Sequence, residues 1–277
     1  MPARSAVPWR ERNGFALIIV LWTLVLIAFI VAHLTASGRT EVRIAGNLVA
    51  NAIAETAADG AIFEAIFYLS DPRLEQRWPI DGPARLVAVG ASRITLRLED
   101  EAARINPNAA SPALLEALLR VTGSDPESAR RLAAAIGDWV GSAQAARPQD
   151  AILADYRAAG LDYGPPGAPI ETLDELGRVL GVTPAVLAAI RPHLTLFGPS
   201  EPNPASTDPV VTAALAEIAK TGPAPLANQA PPDVATVRIT ATAAGPGNAR
   251  AVRTSIVRIG TTLPHGYAVL AWGSGFD

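Results

Sequence analysis

The stretch Arg12–Leu34, RNGFALIIVLWTLVLIAFIVAHL, passes one glycine at Gly14 and is then apolar from Phe15 to Ala32, with Thr23 its single polar residue. About 20 such residues, rising 1.5 Å each, cross a hydrocarbon core of roughly 30 Å. The run can therefore span a bilayer. Upstream lie Arg4, Arg10 and Arg12 against one acid, Glu11. Positive flanks stay in the cytoplasm, so the chain is expected to run from inside to outside. A cleaved export signal is the competing reading. Its apolar core is usually about 7–15 residues and ends at a small-x-small site. The run here is longer, and TAS at Thr35–Ser37 is a poor cleavage candidate, which favours a retained anchor.

The following residues, Thr35–Leu69, read TASGRTEVRIAGNLVANAIAETAADGAIFEAIFYL and contain no proline. Val42, Ala45, Val49, Ala52 and Ile53, then Ile62, Ile66 and Leu69, recur at helical spacing. The pattern predicts an amphipathic helix continuing the anchor, a rod of about 80 Å from Phe15 to Leu69. Gly38, Gly46 and Gly60 are its weak points. The alternative is two helices joined near Ser37 and Gly38.

Composition bounds the rest. The 277 residues are 49% hydrophobic and 18% charged, with 24 prolines, 22 glycines and a net charge of −3. Such a chain buries a core, breaks into many segments and has no global attraction to nucleic acid. With no cysteine it has no disulfide, thiol nucleophile or cysteine metal site.

In ARLVAVGASRITLRLED (residues 84–100), Ile94, Leu96 and Leu98 alternate with Arg93, Thr95, Arg97 and Glu99, predicting a strand with a partner turning at Gly90. Beyond residue 199 come a Pro-rich connector, a short helix over Val210–Ala219 and a second loose connector. A hairpin around Gly245–Asn248 and a last strand over Tyr267–Trp272 follow. The fold class expected is α+β, with the long N-terminal helix packed on one antiparallel sheet. A helical domain, about Asp100–Phe197, is inserted between its strands.

The basic leader ending in glycine, then phenylalanine, then ALIIVLW, then an unbroken helix ending in NLVANAIAETAADGAIFEAIFYL, resembles type IV pilin-like proteins. Together with DEAARINPNAAS, LAAAIGDW, APIETLDELGRVLGVTP, HLTLFG and the terminal YAVLAW, it resembles more narrowly the K-type minor pseudopilins of the type II secretion system. The resemblance covers nearly the whole chain after the leader. It implies a prepilin leader (1–14), cut between Gly14 and Phe15 by prepilin peptidase, which methylates the new amine. It further implies a transmembrane segment (15–36), a pilin-like domain (37–99 and 200–277) and an inserted helix-hairpin-helix, SAM-like domain (100–199). The expected site is the bacterial inner membrane, with the C-terminal domain in the periplasm. The expected partners are I- and J-type minor pseudopilins and the major pseudopilin, with no nucleic acid. The expected role is to cap the pseudopilus tip and support export across the outer membrane.

Shaft-forming relatives carry glutamate at the fifth residue after the cut, where its carboxylate meets a neighbour's amine. This chain has Ile19. A carboxylate at the bilayer centre costs about 2.5 kcal/mol or more unless it is paired. Ile19 suits a subunit with nothing above it, although lipid-facing packing alone also accounts for an isoleucine there.

INPNAASPALLEALLRVTG with SDPESARRLAAAIGDW, and TLDELGRVLGVTPAVLAAI, have the form of helix-hairpin-helix units. Such units often bind nucleic-acid backbone. A membrane-anchored DNA-binding protein of a DNA-uptake system is therefore the second reading. Eight Arg and no Lys against ten acids between Arg104 and Phe197 argue against it, since phosphate binding requires cationic excess. A third reading, a soluble enzyme released by signal peptidase, has little support. His33, His193 and His265 are scattered, WGSGF at residues 272–276 lacks the nucleophile-elbow pattern, and AGPGN lacks a dinucleotide-loop context. No catalytic residue is assigned.

Ser124, Asp125 and Thr172 read as helix caps. The resemblance also implies an acidic calcium site after the GDW motif. Here the expected acids appear as Gly141 and Ala143, leaving Asp138, Asp150 and Asp155 as candidates. Calcium needs several oxygen ligands, so this depleted set would bind it weakly.

Overall fold

The computed structural model describes residues 12–71, 73–142, 147–221 and 234–275. Helix α1 (Arg12–Leu69) runs 58 residues without a break, so the two-helix alternative gives way to one rod. Gly38 and Gly46 lie within it where no neighbouring atom approaches a would-be Cβ within 4 Å. In the apolar half, the Thr23 and Thr35 hydroxyls donate to the carbonyls of Ile19 and Val31 at 2.7 Å. Each hydroxyl is thus satisfied inside its own helix, as a hydrocarbon surrounding demands.

The sheet has five antiparallel strands in chain order: β1 (Arg85–Val89), β2 (Ser92–Asp100), β3 (Val234–Ala244), β4 (Arg250–Gly260) and β5 (Tyr267–Gly273). The period-two pattern in β2 turns Ile94, Leu96 and Leu98 inward, beside Val237, Ile239, Ala241 and Ala243 of β3. These meet Ala54, Ala57, Ala58, Ala61, Ile62, Ala65 and Ile66 of α1. Five alanines on one face let helix and sheet approach closely. Gly245 marks the tightest point, because a Cβ there would stand 2.9 Å from that of Ala54.

The covered face of α1 is shorter than its apolar period suggests. Val42, Val49 and Ile53 are exposed, Val42 by 73%. Periodicity identifies an apolar stripe, but the strands reach only the last four turns or so.

The sheet has a direction relative to α1. The β3–β4 turn sits at Ala54, while Gly266, in the β4–β5 turn, lies against Ser70 just beyond the helix end. Arg93 pairs with Ala244 and Asp100 with Val237. Strand β2 therefore ends at the far end of the rod, and the chain enters its helical region there.

That region contains α2 (Pro112–Val121), α3 (Pro126–Val140), α4 (Gln149–Ala158) and α5 (Pro184–Ile190). Prolines at the first turns, and caps from Ser111, Asp125 and Thr183, fix three of the starts. Asp125 accepts from the amides of Glu127 and Ser128, at 3.2 and 3.0 Å. Ser124 instead donates its amide to the Leu119 carbonyl at the end of α2. The Glu175 carboxylate accepts from the Thr172 amide at 2.9 Å, one half of a capping box.

Leu114, Leu118, Leu119, Ile136, Trp139, Tyr156, Leu176 and Ile190 form a core separate from that under the sheet. Helix α6 (Pro209–Thr221), expected to go with the sheet, packs on this second core through Val211 and Ala214. The helical body therefore continues past the expected boundary at residue 199.

Candidate functional site

Three places stand out in the structure, the first and third carrying residues singled out in the sequence. The first is the N-terminal half of α1. Gly14, Phe15 and Ile19 all lie in this helix, with Phe15 and Ile19 exposed by 69% and 51%. Every large apolar side chain from Phe15 to Leu34 faces outward, and α1 is long and apolar enough to cross a membrane. Among the described residues nothing covers its apolar surface, consistent with a single membrane anchor.

The second place is the junction of the two bodies. The turn Glu101–Ala103 follows β2 directly and buries Glu101 completely. The Glu101 carboxylate accepts from Arg238 Nε of β3 at 2.6 Å, from Arg104 Nη1 at 3.3 Å, and from the Thr195 hydroxyl on the returning segment. Arg104 also donates to Glu99 at 2.9 Å. Beside them, Ile105 and Leu194 form a short parallel bridge. The Asn106 amide donates to the Gly198 carbonyl at 2.8 Å. The start of the helical body and the segment that returns before α6 are thus stapled together and to the sheet. Composition gave no sign of this network, because its members lie up to 137 residues apart in sequence.

The third place is the end of α3. Asp138 is buried there, and burial raises its pKa against the lowering charge of Arg147. Arg147 Nη1 approaches Asp138 Oδ2 at 3.4 Å, while its Nη2 donates to Asp155 of α4. The structure thus brings two of the three calcium candidates together, with a guanidinium between them. Asp150, exposed in the first turn of α4, does not join them. Among the described residues, no three acids or histidines converge on a metal-sized space. Calcium takes six to eight oxygens, and two carboxylates bridged by arginine do not fit it. Arg147 is the residue sequence reasoning missed. The available signal was a lone arginine midway between two acids that helices would bring close.

Six of the eight arginines between residues 104 and 197 are engaged in similar fashion. Arg104, Arg120, Arg130, Arg131, Arg147 and Arg191 each sit within 4 Å of a carboxylate. A phosphate would have to displace those acids. His33 stacks on Phe29 in the anchor, and His193 pairs with Asp208 at 2.6 Å beside the junction. His265 lines a hollow with Phe63, Phe67, Asp71 and Arg73. The three are far apart along the fold, and none of these contacts pairs a nucleophile with a base.

Residues 92–199, from β2 through the helical body, match the family model described as Type II secretion system (T2SS), protein K. No curated protein matches the chain. Among solved structures, the fold is similar to a chain of the GspK-GspI-GspJ complex from the enterotoxigenic Escherichia coli Type 2 Secretion System. The identity is 16% and the TM-score 0.55, covering 87% of this chain and 99% of that one. The family match thus spans β2 and the helical body up to α6, and the likeness to the solved chain extends over most of the fold.

Proposed function

We propose that this subunit caps the tip of a type II secretion pseudopilus and acts by assembly, without catalysis. Prepilin peptidase cuts between Gly14 and Phe15 and methylates the new amine. Residues 15–36 hold the product in the inner membrane, with everything after them in the periplasm. The exposed apolar side chains of α1, Val42 and Val49 among them, then pack against the helices of neighbouring subunits. Those neighbours are minor pseudopilins of the I and J types, as in the GspK-GspI-GspJ complex, with the major pseudopilin below. The pilin-like part is 37–99 with the strands after α6, and the inserted helical part runs from residue 100 through α6.

One observation carries the reading. The helical body leaves the sheet at the end of α1 farthest from the anchor, where Asp100, Val237 and the β4–β5 turn lie. Bulk at that end obstructs a further subunit from stacking above. Ile19 supports the same role, since a terminal subunit has no amine above it to pair with an acid. The test is to label an epitope on the helical body in isolated pseudopili. Label at one filament end is expected. Label spaced along the shaft would overturn the proposal.

A further inference from the structure

The Asp138, Arg147 and Asp155 cluster alternates a base with two acids at the junction of two helices. Asp138 lies near the C-terminal end of α3, and Asp155 lies in the second half of α4. Below them, Trp139 and Tyr156 pack with ring centroids 6.4 Å apart, and Ile152 is buried beside them. The three charged residues therefore sit at the edge of a packed contact between the two helices. Arginine suits the position. Its planar fork places separate nitrogens toward separate carboxylates, which a lysine point charge does not do.

Position 141, where relatives are expected to have an acid, is closed to one. Gly141 ends α3 with φ +66°, in the left-handed region that favours glycine. A Cβ there would lie 2.6 Å from the Gly167 carbonyl oxygen. Any side chain would require the backbone of the 160s loop to move away. The backbone thus excludes a ligand at the position where the arginine makes one unnecessary.

We infer that the Arg147 guanidinium takes the place of a divalent cation between α3 and α4, so that this subunit holds its helical body together without calcium. The attachment therefore responds to ionic strength, which screens a half-exposed ion pair, and not to chelators. The inference does not depend on the tip reading, because it concerns the fold of one chain.

The test is thermal unfolding of the full chain in detergent, followed by circular dichroism, with millimolar calcium chloride or with excess EGTA. Wild type is expected to melt at the same temperature in both. Arg147→Gln is expected to melt about 2–4 °C lower in both, the shift of a modest ion-pair loss in a protein of this size. Arg147→Lys should fall between them. A calcium-dependent rise of about 5–10 °C in wild type, as saturating a real site would give, overturns the inference. It is also overturned if Arg147→Gln melts like wild type. Were that variant not to fold, the wild-type comparison and direct calorimetric titration with calcium would still decide.

Discussion

Replacing Glu101 by alanine should destabilise the protein by about 3–5 kcal/mol, the usual cost of removing one partner from a buried ion pair. The structure explains why the cost falls in this range. Glu101 is fully buried, and the Arg238 side chain that donates to it at 2.6 Å is only 13% exposed. Without the carboxylate, that guanidinium loses its closest acceptor in a place water scarcely reaches. Arg104 suffers less, because Glu99 holds its other nitrogen at 2.9 Å. Thr195 also loses the acceptor of its hydroxyl. At about 2–4 °C per kcal/mol, the melting midpoint should fall by roughly 6–20 °C. Glu101→Gln keeps the shape and one acceptor, and should lie at the lower end. The assay is thermal unfolding in detergent, with Glu127→Ala as control. Glu127 makes a solvent-exposed pair with Arg131 one turn away, worth about 0.5 kcal/mol or less. The double variant Glu101→Ala with Arg238→Met should be less damaged than the two single losses added together. A loss below about 1 kcal/mol for Glu101→Ala, or strict additivity in the double variant, would refute the stapled junction.

Other consequences follow from burial and charge. Ile62→Ala opens a cavity under the sheet and should cost about 2–5 kcal/mol in a melting experiment, since Ile62 is wholly buried. Val49→Asp, on the exposed stretch of α1, should leave the detergent-solubilised monomer's melting midpoint unchanged but reduce its recovery in pseudopili, measured by shearing and immunoblot. Ala58→Leu should destabilise by about 1–3 kcal/mol through overpacking of the alanine face. Glu201 has its pKa raised by burial, and its Oε2 lacks a hydrogen-bond partner. A raised carboxylate pKa means the folded form holds its proton more tightly. The stability this provides is full below the unfolded pKa and is lost as pH rises through the folded one. Glu201→Gln should therefore melt above wild type at neutral pH, with the difference closing on acidification.

Much of this fold was legible because it depends on local chemistry. An apolar run without proline, a period-two strand and glycines at a hairpin each act within a few residues, and α1, β2 and the β3–β4 hairpin appeared where expected. The failures concern what covers an element. The stripe through Val42, Val49 and Ile53 has the same period whether it meets a sheet, a lipid or another subunit. Helix α6 is short and flanked by Pro-rich connectors, so nothing local assigns Val211 and Ala214 to the helical core. The surroundings of the cation candidates were only partly legible for a related reason. Counting acids located Asp138 and Asp155, but charge neutralisation by Arg147 emerges only when the end of α3 meets α4. Glu101 and Arg238 were invisible because a buried ion pair between distant strands has no sequence period.

A role at the pseudopilus tip requires that the long helix keep its apolar half after processing. The most direct measurement is mass spectrometry of the N-terminal peptide of the protein recovered from membranes. An N-methylated peptide beginning at Phe15 is predicted, which leaves the whole apolar run of α1 in place. A mature terminus near Ser37 or Gly38 would contradict the account, because it would remove the anchor and with it any means of joining a pseudopilus.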